Sequence, residues 1–278
     1  MLSKLKNILL ILFLLPFILW SEPAQECSFC IYDPRHFLCG YGQQEGPLTG
    51  FYVPEHLTYG IPSESDLLLN KKGFSLGYSQ KYKQAIWVSY ILEAHNLQSK
   101  QVPRRNKFKP DPSVKNNPVK PSDYSKTGYD RGHLAPAADM TYSVITEQES
   151  FYMTNMSPQI PGCNRGIWKR VESQVRDWAI KEEKICVITG PIFAKDYKKM
   201  GKADIAVPVA FYKVILDLTP PRKMIAFIIP NEPSKRRIQS FIVPVDKVES
   251  ITGFHFFSEL LDHPDYELKK KSNYADWK

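Results

Sequence analysis

One histidine lies in the run Tyr129-Asp130-Arg131-Gly132-His133-Leu134-Ala135-Pro136-Ala137-Ala138-Asp139, followed by Asn155-Met156-Ser157-Pro158-Gln159 and then by Asn164, Trp168 and Glu172. The last three stand at i, i+4 and i+8, a spacing that puts an amide, an indole and a carboxylate on one helix face. A histidine brought by a neighbouring strand can share a site with them. Such a set suits metal-assisted hydrolysis of a phosphodiester. An asparagine carbonyl oxygen is a hard ligand suited to Mg²⁺, which keeps most of its waters and needs few protein ligands. One neutral ligand leaves positions open for phosphate oxygens, so charge on the leaving oxygen can be met. An imidazole with an unperturbed pKa of about 6.5 can take a proton from water near neutrality. A guanidinium such as Arg104 or Arg131 can clamp a phosphate with two hydrogen bonds.

Blander roles are open to each residue alone. Asn164 suits a helix N-cap, Trp168 suits core packing, and Asp130 and Asp139 read as hydrogen-bonding supports of the loop rather than a two-carboxylate metal site. His36, His56, His95, His255 and His263 have no matched partners and read as core or surface residues. Other chemistries lack their signatures. Gly40-Tyr41-Gly42-Gln43-Gln44-Glu45-Gly46 has one residue too many for a dinucleotide fingerprint, and the chain has no P-loop, GxSxG or HExxH.

The elements that must carry this set are mostly strands. Alternation at 74–78 and the β-branched, aromatic run at 85–92 predict two strands, and 185–189 predicts a buried one stopped by Gly190-Pro191. Two longer strands are predicted at 206–215 and 224–229, joined by the turn Thr219-Pro220-Pro221-Arg222. Ile167, Val171, Val175 and Trp178 predict an amphipathic helix beginning at Asn164. Residues 98–125 lack an apolar period and read as a long loop, functional or mobile. Segregated strands and helices argue for an α+β domain with a central antiparallel sheet flanked by helices.

Composition agrees with a soluble globular chain: 278 residues, 43% hydrophobic and 24% charged. That balance excludes a disordered, collagenous or polytopic membrane chain. Lys4 and Lys6 precede an apolar run from Ile8 to Trp20, short for a bilayer span and suited to a secretory signal. The expected layout is a signal peptide at 1–21, a cysteine-containing extension at 22–62, a catalytic domain at 63–268 and a solvated basic tail at 269–278. Export to the periplasm or the extracellular space follows, with no stable membrane association after cleavage. In an oxidising compartment, Cys27, Cys30, Cys39, Cys163 and Cys186 read as structural disulfides with one odd thiol.

The net charge of +8 has a local source. Residues 100–131 hold nine Lys or Arg against three Asp, in the loop that leads into His133. A polyanion would have to approach there. Neutralising Lys107, Lys109 and Lys115 together is expected to weaken nucleic-acid binding and flatten its salt dependence, measured by titration at several salt concentrations. An unchanged slope would make the loop a solvated bystander.

At these residues the sequence resembles the DNA/RNA non-specific endonucleases of the ββα-metal fold, a family that includes endonuclease G. The resemblance runs through Tyr129–Pro136, Thr154–Gln159, Asn164–Glu172, Thr189–Phe193, Val207-Pro208, Phe211–Lys213 and Val243–Asp246, covering roughly 73–261. It implies that His133 is the general base, and that Asn164 is the sole direct protein ligand of Mg²⁺, with Mn²⁺ a possible substitute. Glu172 would hold a metal-bound water and Asn155 would orient the site. The family's transition-state arginine precedes an aromatic, so Arg104, spaced from Phe108, is preferred over Arg105. Arg131, Arg105, Lys107 and Lys109 are the expected substrate contacts. Implied partners are DNA and RNA, cut to leave 5′-phosphate ends, and an inhibitor protein is a possible further partner. The rivals are a catalytically idle nucleic-acid-binding protein on this fold and a phosphodiesterase for small nucleotides.

Overall fold

The computed structural model describes residues 53–99 and 101–278. The expected signal peptide, most of the expected extension and Cys27, Cys30 and Cys39 lie outside the described residues. The strands β1 (Leu67–Asn70), β2 (Ser75–Ser79) and β3 (Gln84–Glu93) form a meander, and the short helix α1 (Ala94–Gln98) follows directly. Next come β4 (Asp130–His133), α2 (Val144–Ser150) and β5 (Met156–Gln159), with β4 and β5 paired as a separate ribbon. A π-type turn, Cys163–Trp168, leads into α3 (Lys169–Lys181). The chain continues through β6 (Lys184–Ile192), β7 (Lys199–Met200), β8 (Ile205–Ala206), β9 (Ala210–Asp217), β10 (Met224–Pro230), β11 (Ile242–Val243) and α4 (Val245–Thr252). The central sheet is antiparallel, in the order β1-β2-β3-β6-β9-β10-β11. The α+β reading with a central antiparallel sheet is the architecture found.

Both faces of the sheet are covered, which is why its middle strands are nearly continuous apolar runs. On β9, Phe211 and Ile215 join Trp168, Val171, Val175 and Trp178 of the turn and α3 on one face. Tyr212, Val214 and Leu216 join Val245 and Val248 of α4 on the other. Strand alternation therefore puts Lys213 on the α3 face.

Four expectations about the elements change. β6 runs through Gly190-Pro191, with Pro191 in register with Phe211. The glycine answers to packing, because a Cβ there would sit 2.3 Å from the Ile86 carbonyl oxygen and 2.6 Å from the Tyr212 hydroxyl. The strand expected at 206–215 is broken between Ala206 and Ala210, where Pro208 offers no N–H and Val209 N–H instead bonds Ile192 O. Regular α3 starts at Lys169, because Gly166 leaves helical geometry at φ −108°, ψ −105°. The basic tail is solvated only in part: Trp277 is buried with its ring centroid 4.9 Å from that of Trp178. Lys269 is also buried, paired with Glu249 and donating to Phe256 O.

Packing also begins ahead of residue 63. Leu57 is buried on the α4 face, and Pro62 O accepts from His255 N. Cys163 and Cys186 are buried free thiols, so the expected disulfides do not include them. Among the described residues no helix is long and apolar enough to cross a membrane.

Candidate active site

The β4–β5 ribbon and α3 form a ββα unit, and His133 stands at the end of β4, paired with Met156. Close pairing depends on Gly132, since a Cβ there would meet the Gln159 side chain at 2.1 Å. The His133 side chain is held by Phe151, edge-on at 5.0 Å, and Phe108 at 5.7 Å. It is only 8% exposed, and no protein group hydrogen-bonds its buried Nε2. Burial, helped by the Arg104 charge, pushes its pKa down to about 3. The imidazole is thus neutral at pH 7.

Asn155 is fully buried and touches backbone alone. Its Oδ1 accepts from Ala135 N at 2.9 Å, and its Nδ2 donates to Ala135 O and Ser150 O, each at 2.9 Å. It fixes the strand-to-loop exit after His133 and is a positioning residue. Asn155→Ala orphans three buried backbone groups at about 1 kcal/mol or more each. Urea denaturation should show a loss of about 2–4 kcal/mol, accompanied by lost activity; full stability in the variant would contradict this role.

Asn164 lies in the π-type turn, half-buried, rather than capping a regular helix. Its Nδ2 donates to Asp130 Oδ2 at 2.9 Å, and no hydrogen bond within the described residues engages its Oδ1. Arg165 grips the same carboxylate through Nε at 2.8 Å and Nη2 at 2.6 Å. Burial alone would raise the Asp130 carboxyl, but these hydrogen bonds outweigh it and hold the pKa below the usual range. Trp168, fully buried, donates from Nε1 to His133 O at 3.3 Å and so ties the turn to β4.

Glu172 is half-buried with no protein hydrogen bond, and burial raises its pKa against the opposing charge of Lys213. Arg104 also acts on it, as it does on His133, so the three groups share one electrostatic site. Beneath lies a group that the motifs include without a role. Lys213 is fully buried, its Nζ 4.8 Å from the Trp168 ring and without a hydrogen-bond partner, and burial lowers its pKa. Arg176 donates to Asp139 Oδ1 at 2.9 Å, and Tyr90 donates to Asp139 Oδ2 at 3.2 Å. Asp139 therefore supports α3 and β3 rather than its own loop, as Asp130 supports the turn. Two signals were available for these residues: a lysine inside an apolar strand, and an arginine four residues after Glu172.

The basic loop is anchored rather than mobile. Asp111, 2% exposed, is bonded by Lys71, Thr154 and Ser113 N, while Val114, Val119 and Tyr124 are buried. Arg104 is exposed, its guanidinium 5.5 Å from the ring of Phe151, the same ring that packs on His133. Arg105 is exposed, and only its backbone is held, by Glu147 Oε1 at 2.6 Å. Lys107 is exposed, and Lys109 lies over Tyr152 at 4.8 Å. Arg131 is engaged structurally: Nε and Nη2 donate to Pro121 O, and the guanidinium covers Phe108 at 5.0 Å. The fold thus draws Arg104, His133 and Glu172 together, keeps Asn155 as a buttress and commits one edge of Arg131 to the loop.

The donor set fits a hard divalent cation. Asp130 pins the NH₂ end of the Asn164 amide, which orients the carbonyl end away from that carboxylate, and Glu172 adds a carboxylate without a hydrogen bond. Among the described residues no group of three or more His, Cys, Asp or Glu could hold a metal. With the Asn164 carbonyl as a single neutral ligand, a cation here would keep most of its coordination sphere for water and substrate oxygens, as Mg²⁺ favours.

Comparison with known proteins adds an independent line. Residues 53–263 match the family model described as DNA/RNA non-specific endonuclease. A nuclease of Nostoc sp. is 30% identical over 240 residues, covering 79% of this chain and 86% of that protein. The human protein named endonuclease G, mitochondrial, is 31% identical over 218 residues, covering 73% of each. A chain of the solved EndoG/EndoGI complex superposes with a TM-score of 0.70 at 30% identity, covering 74% of this chain and 91% of that one.

Proposed function

Because the chain belongs to the DNA/RNA non-specific endonuclease family and is a hydrolase of phosphodiester bonds, we propose that it is an exported, metal-dependent endonuclease cutting both DNA and RNA. The observation that carries the catalytic reading is the placement of His133 at the end of β4, where the Arg104 charge acts on it and on Glu172 alike. Asn164 would hold the cation through Oδ1, and Glu172 would support it through water. Bound Mg²⁺, or Mn²⁺ in its place, supplies Lewis-acid stabilisation of the phosphoryl charge. His133 takes the proton of the attacking water as its oxygen bonds to phosphorus, through the ring nitrogen that solvent reaches rather than the enclosed Nε2. Arg104 meets the charge that develops on the equatorial oxygens. The bond to the 3′-oxygen breaks, and that oxygen is protonated from solvent, leaving 5′-phosphate and 3′-hydroxyl ends. Phosphate contacts from the basic loop carry little sequence information, consistent with non-specific cutting.

Export rests on Lys4, Lys6 and the apolar run at 8–20, a pattern unlike an Arg-rich amphipathic mitochondrial presequence. An inhibitor protein is a further partner we propose, since the solved relative is an EndoG inhibited in its complex with EndoGI.

The test is digestion of plasmid DNA and of RNA across a Mg²⁺ and Mn²⁺ series, with an EDTA control. Cleavage of both polymers that EDTA stops is expected. Binding without cleavage would turn the reading toward an idle binding protein. Cleavage confined to a dinucleotide ester would turn it toward a small-nucleotide phosphodiesterase.

A further inference from the structure

A second group of cations lies against the segment that carries Asn164, and no step above uses it. Lys169 and Arg170 at the start of α3 are exposed, and so are Lys235, Arg236 and Arg237 in the stretch after β10. Arg170 joins the two segments, its Nη2 donating to Ser234 O at 2.9 Å and to Arg236 O at 3.0 Å. These are backbone carbonyls, so the guanidinium charge is not neutralised. Among the described residues none of the five forms an ion pair, and the exposed carboxylate nearest in sequence to 235–237 is Glu232.

The stretch is fixed to the ribbon. Asn231, 7% exposed, accepts from Ile160 N at 2.8 Å and donates to Pro158 O and Pro208 O, each at 3.0 Å. Pro233 packs so closely on Gly162 that a Cβ there would lie 2.6 Å from its Cγ. The Arg236 guanidinium lies 5.1 Å from the Phe241 ring. The charges are thus held beside the turn that presents Asn164, at the Asp130 end of β4. Arg104 and Lys109, in the early part of the first basic loop, lie at the His133 end. Three residue steps of strand separate the two ends, about 10 Å, or roughly three phosphates of one strand at ~3.4 Å of helix axis each.

We propose that Lys169, Arg170, Lys235, Arg236 and Arg237 form a second phosphate-binding surface, which holds the nucleic-acid strand beyond the scissile phosphate on the Asn164 side. This rests on the nuclease reading and deepens it. The substrate lies across both basic surfaces with the site between them, so binding strength grows with polymer length, as counterions are released along the strand. The partner is a phosphodiester polymer. The surface continues directly from the site, on a backbone that the Asn231 and Arg170 hydrogen bonds hold in place.

The test uses Lys169→Ser, Lys235→Ser and Arg237→Ser in one variant, because none of these side chains makes a hydrogen bond or ion pair in the described structure. Binding of a fluorescent 30-base-pair duplex is followed by anisotropy in EDTA over a salt series, for the variant and the unsubstituted chain. The expected result is affinity lowered by roughly tenfold or more at 0.05 M salt. The log–log salt slope should also be shallower by about 2.7, or ~0.9 for each phosphate no longer neutralised. Thermal melting should be unchanged. An unchanged slope and affinity would overturn the proposal and leave the surface to an acidic protein. Because binding is read without metal or turnover, failure of the nuclease reading shows separately, as absence of cleavage by the unsubstituted chain in Mg²⁺.

Discussion

His133→Ala is expected to lower the rate of plasmid cleavage by about 10²–10⁴-fold, the range that a lost general base produces. The fold should persist, because the backbone pairing of β4 with β5 and the Trp168 bond to His133 O do not involve the imidazole. Single-turnover digestion at saturating Mg²⁺ measures the loss, and a rate within threefold of the unsubstituted chain would remove His133 from catalysis. The buried imidazole also makes a prediction about acid. Between pH 6.5 and about 3 the unfolded chain binds a proton at this residue that the folded chain does not. Stability from the neutral imidazole is therefore complete above pH 6.5 and is lost as pH falls toward 3. The slope is about 1.4 kcal/mol per pH unit. The alanine variant lacks that proton uptake, so the stability gap between the two chains should narrow on acidification. Urea melts at pH 7 and pH 4.5 test it, and a constant gap would mean that the imidazole is solvated.

Asn164→Ala should reduce cleavage by a further-reaching route. It removes the one oriented hard oxygen at the site, while the Arg165–Asp130 pair at 2.6 Å still ties the turn to β4. Loss of a direct ligand should exceed the 10–100-fold typical of an outer-shell partner, so about 10³-fold in rate is expected. Mn²⁺ affinity, followed by electron paramagnetic resonance without substrate, should fall in parallel. An unchanged Mn²⁺ affinity would exclude Asn164 as the ligand. Asn164→Asp discriminates further. It supplies a ligand oxygen but sets a second carboxylate against Asp130 where an amide now donates, so the turn should be destabilised even where metal binding survives.

The chemistry was legible because it lies in residue types at short spacing. A histidine inside an eleven-residue motif, two asparagines and a glutamate need no tertiary knowledge to suggest a phosphodiester site. Amphipathic period and β-branched runs likewise predict most strands and α3, because each depends on neighbours a few positions away. Sequence misleads where distant parts meet. Gly190 resembles a stop until the Ile86 carbonyl is seen against it, and Trp277 resembles a solvated end until Trp178 is found beneath it. The helix start at Asn164 failed for a local reason that period cannot register, the departure of Gly166 from helical geometry.

By itself, then, the sequence pointed to the reaction class, to His133, Asn164 and Glu172 as the residues we propose carry it, and to a basic approach to them. Only the tertiary structure decided what state those groups are in. The low pKa of His133 comes from burial between Phe108 and Phe151, rings 25 residues upstream and 18 downstream of it. Lys213 reaches the α3 face by strand alternation, and Asp130 orients Asn164 from 34 positions away. Charge, desolvation and hydrogen-bond direction depend on distance in space, and only the packed sheet and helix set those distances.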